Sequence, residues 1–215
     1  MAGKFHHEEI YRGAGAARRL AEPLVVLCGA GALGSNLADN LTRQGLRRLR
    51  AIDRDRVEEH NVGTQVYGEG DVGAWKVEVL RNRLFRSVGV EIEARREELG
   101  PGNAGKLLEG ADIVVDAFDN SASRALVKEG AARLGIPCLH AGVAADYGEV
   151  VWDPAYRVPG DAGADVCDYP LARNLVLLVV AVASEAIVES ILGGARRSWS
   201  VTLRDLSVRP LEPGR

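Results

Sequence analysis

Leu24-Val-Val-Leu-Cys-Gly-Ala-Gly-Ala-Leu-Gly-Ser35 decides the fold of this chain. Its first four residues form an unbroken apolar run, the pattern of a parallel strand buried on both faces. Gly29, Gly31 and Gly34 follow at G-x-G-x-x-G spacing, and Ser35 to Gln44 reads as a helix. Each glycine has its own reason. Gly29 permits a tight strand-to-helix turn, Gly31 lets a phosphate approach the backbone, and Gly34 lets helix and strand pack closely. The free N–H groups at the start of such a helix face an anion. A second apolar stretch, Leu49-Arg-Ala-Ile52, ends at Asp53. A carboxylate about 20–25 residues past the glycines suits a ribose hydroxyl. The stretch reads as a nucleotide site.

Outward from it, strands and helices alternate. A polar, turn-rich segment runs from Arg54 to Gly70, and Asp71 is placed to cap a helix in which Val72, Trp75, Val79 and Leu80 fall at helical spacing. Val90 to Ala94 alternates like a strand, residues 103–109 read as a short helix, and Ile113-Val-Val-Asp116 is another buried strand. Ser121 to Leu134 is helical and leads into a fifth strand at Ile136–His140. This order predicts an α/β fold, a Rossmann-like doubly wound, mostly parallel sheet with helices on both faces. Glu149-Val-Val-Trp152 then lacks a helix behind it, and a Pro/Gly/Asp-rich loop spans 153–170. A long apolar helix over 171–192 and a strand over Ser198–Leu203 complete a short antiparallel C-terminal extension. Residues 1–22 are a polar, partly helical lead-in, and 23–205 form one domain.

Composition narrows the class. The 215 residues carry a net charge of −3, which argues against non-specific nucleic-acid binding. Cys28, Cys138 and Cys167 make an odd set with no C-x-x-C pair, as expected in a reducing compartment without a disulfide framework or a four-cysteine zinc site. Cys28 and Cys138 read as core. His6, His7, His60 and His140 do not cluster, so no zinc site is expected. The N-terminus lacks a signal-peptide core, and the most apolar run, Leu175–Ala183, is too short to cross a bilayer. These features point to a cytoplasmic protein without a membrane partner.

Four constellations carry the chemistry: Gly29-x-Gly31-x-x-Gly34; Asp53-x-Asp55-x-Val57 with Asn61 and Gln65; Asp71-Val-Gly-Ala-Trp-Lys76; and Asp116-Ala-Phe-Asp119-Asn120-x-x-x-Arg124. In this order and spacing they resemble the HesA/MoeB/ThiF family, the adenylating domain of ubiquitin-activating enzymes, over roughly residues 9–200. The resemblance implies adenylation of the C-terminal carboxylate of a small β-grasp carrier protein ending in Gly-Gly, with ATP and Mg²⁺, by a homodimer. Lys76 would be the local cation, on an exposed helix position; a solvated surface lysine is the bland alternative. Asp53 would hold the ribose, or serve only as a turn aspartate. Asp119 resembles the metal-associated aspartate, or else caps the helix that carries Arg124. Asn61 and Gln65, with Asp55, would sit near the nucleotide, or merely hydrogen-bond their loop.

The chain departs from the resemblance at three places. Thr64 stands where an arginine contacts the phosphates, and loss of one such donor commonly lowers rate by about 10²–10³. A second arginine would enter from the partner subunit's N-terminal segment, where Arg12 matches, unless it is an ordinary salt-linked arginine. Paired C-x-x-C zinc motifs are absent from the sequence. Cys167 lies in the loop before the long helix as a candidate covalent acceptor, although Asp165 and Asp168 beside it would raise its thiol pKa. Two other readings follow: a catalytically weak or inert nucleotide-binding subunit, which Thr64 favours, and an NAD(P)-dependent oxidoreductase, which leaves Lys76 and the Asp119–Arg124 block unexplained.

Overall fold

The computed structural model describes residues 3–160 and 170–212. Helices α1 (His6–Arg12) and α2 (Ala16–Ala21) lead into β1 (Leu24–Cys28), α3 (Ala32–Gln44) and β2 (Arg48–Ile52). Then come α4 (Lys76–Val88), β3 (Glu93–Arg95), α5 (Ala104–Leu108), β4 (Ile113–Asp116), α6 (Ser121–Leu134) and β5 (Cys138–Ala144). The chain closes with β6 (Tyr147–Trp152), α7 (Arg173–Ile191), β7 (Ser198–Thr202) and β8 (Ser207–Leu211).

Among the described residues one sheet of eight strands runs β3-β2-β1-β4-β5-β6-β7-β8. The pairs from β3 to β5 are parallel, and those from β5 to β8 antiparallel. The order reverses at β1, so the β1–β4 boundary is the switch point outside which open α/β sheets bind ligands. β1 is buried along its whole length because helices cover both faces. Val25 and Leu27 face a core shared with Leu37 and Leu41 of α3, Leu80 of α4 and Leu175 and Val179 of α7. Leu24, Val26 and Cys28 face the opposite core, with Leu107 and Leu108 of α5 and Val127 and Ala131 of α6. The continuous apolar run at 24–27 is what two-sided burial demands.

Several expected boundaries shift for physical reasons. Asp71 does not cap α4. It ends a short 3₁₀ turn, where its carboxylate accepts the Gly68 N–H at 2.9 Å, and α4 begins five residues later at Lys76. Val72 is therefore exposed rather than on a helix face. The third strand is Glu93–Arg95, shifted from 90–94, while Val90 and Ile92 fill the core just ahead of it. β8, which the sequence pattern did not reveal, extends the antiparallel hairpin to Leu211. The long apolar helix, expected over 171–192, spans Arg173–Ile191. As a 19-residue element with mean hydropathy 1.9, α7 is long and apolar enough to cross a bilayer, although the run 175–183 alone is not. Here it is a core helix: half of that window is buried, Ser184 accepts a hydrogen bond from Asn40, and Glu185 pairs with Arg12.

Candidate functional site

The glycine turn closes across the switch point. Gly29 adopts φ +96°, and a Cβ built there would stand 2.9 Å from the Ala117 carbonyl oxygen, so the loops after β1 and β4 touch. A Cβ on Gly34 would fall 1.9 Å from the Gly29 carbonyl oxygen, an impossible approach for any other residue. Gly31 is the opposite case. A Cβ there meets no atom within 4 Å, so the turn leaves open space at Gly31, where α3 starts. That is the cradle a phosphate fits.

Asp53 lies at the end of β2, almost wholly buried, and locks the turn. Its Oδ2 accepts the Ala30 N–H at 2.7 Å and its Oδ1 the Asp55 N–H at 2.7 Å. Burial pushes its carboxyl pKa up, against the opposing pull of Lys76 and of the two backbone donors. A hydroxyl bound here would use the remaining lone pairs. Lys76 is the first residue of α4, and its Nζ lies 3.2 Å from Asp55 Oδ2. The expectation of an exposed lysine is corrected: Lys76 is 8% exposed, because its own N–H donates to the Asp55 carbonyl and folds the helix start under that loop. Asp55 remains about half exposed.

The turn after Asp55 packs on the first turns of α3. Asn36 Nδ2 donates to the Thr64 carbonyl at 2.9 Å, the Val66 N–H donates to Ser35 Oγ at 3.3 Å, and Tyr67 OH donates to the Ala30 carbonyl at 2.8 Å. Asn61 is buried and spends its Oδ1 on the Glu58 N–H, a local loop role. Gln65 differs: its Oε1 is buried with no hydrogen-bond partner. Buried polar atoms are rarely left so, and an orphan beside an open cradle is consistent with a missing ligand.

On the far side of the switch point, the capping question is settled. Asn120 caps α6, accepting the Ser123 N–H at 2.8 Å, which leaves the exposed Asp119 without capping duty at the mouth. Arg12 stands elsewhere. It donates to Glu8 at 2.6 Å and to both oxygens of Glu185 at 2.8 and 2.6 Å, so within one chain it ties α1 to α7. Cys167 lies outside the described residues.

One cluster joins Asp116 and Arg124 to residues that the sequence did not connect with them. Asp116, at the buried end of β4, accepts the Phe118 N–H on Oδ1, while its Oδ2 faces His140 Nδ1 at 2.8 Å and Arg124 at 3.5 Å. His140 Nε2 faces Asp153 Oδ2 at 3.1 Å, and the ring stacks on Tyr156 at 3.8 Å. An imidazole between two carboxylates satisfies both by donating from both nitrogens, which is the imidazolium. Burial works against that charge, but the hydrogen bonds to Asp116 and Asp153 win and raise the His140 pKa. Asp153 is held low: burial opposes ionisation, and the bonds from His140 and Lys128 outweigh it. The set carries metal-type ligands, since Cys138, His140 and Asp153 offer atoms within 4.8 Å of one another. Lys128 also brings positive charge to it, 2.6 Å from Asp153 Oδ1. The sequence signals were the Asp116-to-Arg124 motif and the i, i+2 spacing of Cys138 and His140 on one face of a strand.

Fold and site together define a doubly wound nucleotide-binding protein, with an anion cradle at the switch point and a lysine and an acidic loop around it. The chain belongs to the ThiF family, whose pattern matches residues 8–163. It is 33% identical over 157 residues to the sulfur carrier protein ThiS adenylyltransferase of Bacillus subtilis, covering 69% of this chain and 46% of that protein. It is 39% identical over 123 residues to the sulfur carrier protein adenylyltransferase of Thermus thermophilus, covering 56% and 45%. The SAMP-activating enzyme E1 of Haloferax volcanii is 33% identical over 162 residues, covering 73% and 54%. The chain thus spans about half the length of these relatives. Among solved structures, Escherichia coli MccB with ATP superposes with a TM-score of 0.79 at 20% identity, over 99% of this chain and 72% of that one. PaaA gives 0.76 at 22%, over 92% and 66%. These two likenesses concern the fold.

Proposed function

We propose that this chain is an ATP-dependent adenylyltransferase that activates the C-terminal carboxylate of a small β-grasp carrier protein ending in Gly-Gly. The observation that carries it is the open backbone at Gly31, in a chain that also brings a buried lysine, Lys76, and an exposed aspartate, Asp119, free of capping duty. The relatives named for adenylation of sulfur carriers support the reaction class. In the reaction an oxygen of the carrier carboxylate bonds to the α-phosphorus, the bond to the bridging oxygen breaks, and its electron pair leaves with pyrophosphate. No proton is transferred, so the protein has charge to place rather than a base to supply.

The roles follow from position. The first N–H groups of α3 hold phosphate over Gly31, Lys76 brings positive charge, and Asp53 orients the ribose while it holds the turn. Asp119 would hold Mg²⁺, which when bound neutralises charge on the phosphate chain. Gln65, through its orphaned amide, contacts the nucleotide. Thr64 supports a second reading, an inert partner subunit, because it brings no charge where a donor is expected. A homodimer, with Arg12 serving the site of the other copy, belongs to the active reading.

Exchange of labelled pyrophosphate into ATP tests it, with a panel of β-grasp proteins ending in Gly-Gly and the same proteins lacking the last glycine. Exchange that depends on the intact terminus supports the proposal. Absence of exchange with every carrier, together with thermal stabilisation by ATP–Mg²⁺, would favour the inert subunit. Stabilisation by NAD⁺ but not by ATP would overturn the nucleotide assignment.

A further inference from the structure

Helices α3 and α7 lie side by side and start at the same end of the molecule. Midway along, Asn40 Nδ2 donates to Ser184 Oγ at 2.7 Å. From that contact the start of α3 lies eight residues back and the start of α7 eleven, about 12 and 16 Å at helical rise. The other ends agree: Gly45, which closes α3, packs on Ala17 and Leu20 of α2, and the Leu192 carbonyl after α7 accepts from Arg19 of α2. At the starting end, Arg173 Nη1 reaches the Gly63 carbonyl at 3.5 Å. The next carbonyl along, Thr64, is held by Asn36 of α3, whose amide also reaches Ala32 in the first turn. Arg173 is thus linked, through one turn of chain, to the helix start that forms the phosphate cradle.

Its place in α7 is electrostatically wrong for stability. Arg173 is the first residue of the helix, the first turn carries no carboxylate, and Ala172 offers no side-chain cap. A cation at the positive end of a helix dipole is unfavourable by about 0.3–1 kcal/mol. Among the described residues, the positive groups at the acidic loop are already paired. Lys76 pairs with Asp55, Arg54 pairs with Glu98 and more loosely with Asp55, Asp53 and Asp119 add negative charge, and Thr64 is neutral. A phosphate chain over Gly31 would reverse the sign of the conflict, since Arg173 would then answer an anion instead of a dipole.

We propose that Arg173 contacts the phosphate chain of the nucleotide, its guanidinium leaving the Gly63 carbonyl, a contact at the limit of hydrogen bonding, when ATP occupies the cradle. There it stabilises the charge that passes to the departing pyrophosphate as the carrier carboxylate attacks. This rests on the adenylating reading of the site. It also gives the chain a cation where Thr64 supplies none.

Titration calorimetry of the full chain with ATP–Mg²⁺ and with AMP tests it, on the wild type, Arg173→Ala, and Arg173→Ala combined with Thr64→Arg. Loss of a charged hydrogen bond predicts roughly 10- to 100-fold weaker ATP binding in Arg173→Ala. AMP, lacking the β- and γ-phosphates, should change by less than about threefold. Thr64→Arg moves a guanidinium to the neighbouring position of the same turn and should restore most of the lost affinity. A merely structural arginine would weaken ATP and AMP alike and would not be rescued. Wild-type-like ATP binding by Arg173→Ala, or an equal loss for both nucleotides, overturns the inference while leaving the adenylating site intact. A wild type that binds ATP–Mg²⁺ but shows no carrier-dependent exchange sinks the reaction and leaves the contact standing. A wild type that binds no ATP sinks both.

Discussion

Gly31 and Gly34 sit three residues apart in one turn and make opposite demands on the chain. At Gly34 a methyl group would collide with the Gly29 carbonyl at 1.9 Å, so Gly34→Ala should lose about 3 kcal/mol or more of stability, read as a lowered urea midpoint. At Gly31 the same methyl meets only open space, with φ at −78°, which alanine tolerates. Gly31→Ala should therefore unfold within about 0.5 kcal/mol of the wild type, yet bind ATP–Mg²⁺ more weakly in calorimetry. Equal ATP affinity in that variant would mean that no phosphate lies over the turn. Lys76 needs comparable care, because its stem is buried. Alanine there would leave a void, whereas methionine fills the same space without the charge. Removing the pair with half-exposed Asp55 should cost less than about 1 kcal/mol. Lys76→Met should still lower carrier-dependent exchange by about 10²–10³. Unchanged exchange would remove Lys76 from the phosphate site.

Between residue and whole fold, α6 is the element on which the loop bearing Asp119 and the segment after β6 both depend. Asn120→Ala should destabilise the protein by about 1 kcal/mol through loss of its cap, while Asp119→Asn should leave the denaturation midpoint unchanged and raise the Mg²⁺ concentration needed for exchange. Behind that loop, the imidazolium of His140 joins β4 to the chain after β6, among Asp116, Asp153, Arg124, Lys128, Tyr156 and Cys138. Its folded-state pKa lies above the ordinary value of about 6.5. The stability it contributes is thus complete below that value and declines as pH rises through the folded pKa. Asp153, held low, acts with the opposite sign and is lost only in acid, as pH falls below the ordinary carboxylate range. Urea midpoints should fall from pH 6 to pH 9, and His140→Gln should flatten that slope; a slope retained in the variant would place the titration elsewhere. Of this network the sequence showed only Asp116 and Arg124, the two ends of one motif. Asp116, His140 and Asp153 are brought together by the parallel β4–β5 register and the antiparallel return of β6, and no local spacing encodes either pairing. What periodicity did show was β1, the glycine turn, α6 and the carboxylate after β2, all fixed by short-range patterns. It misplaced the start of α4, because Asp71 satisfies a turn of its own.

At the scale of the whole molecule, the lead-in helix is where a single chain and a pair of chains make different claims on one residue. Arg12 is almost buried against Glu8 and Glu185, and its bidentate donation to Glu185, the largest influence on it, holds its guanidinium still more firmly protonated than usual. Glu185 is correspondingly held below the ordinary glutamate range by Arg12. As a clamp within one chain, Arg12 joins α1 to α7, and because Glu185 is partly solvated its removal should cost about 1 kcal/mol. Glu185→Gln should cost about the same, since either change breaks the same contact. As a group serving the other copy's site, Arg12 would instead be needed for exchange, whereas Glu185 would compete with that role, so Glu185→Gln would leave exchange intact or faster. The two claims separate in mixed subunits. Lys76→Met and Arg12→Ala chains, each inactive alone, should regain up to about a quarter of wild-type exchange when mixed if sites are shared across a dimer, because statistical pairing makes half the dimers mixed and each restores one of its two sites. Recovery would show that the single-chain clamp opens on assembly. An Arg12→Ala chain that keeps wild-type exchange, with dimers verified by sedimentation, would confine Arg12 to its clamp and leave Arg173 as the arginine of the cradle.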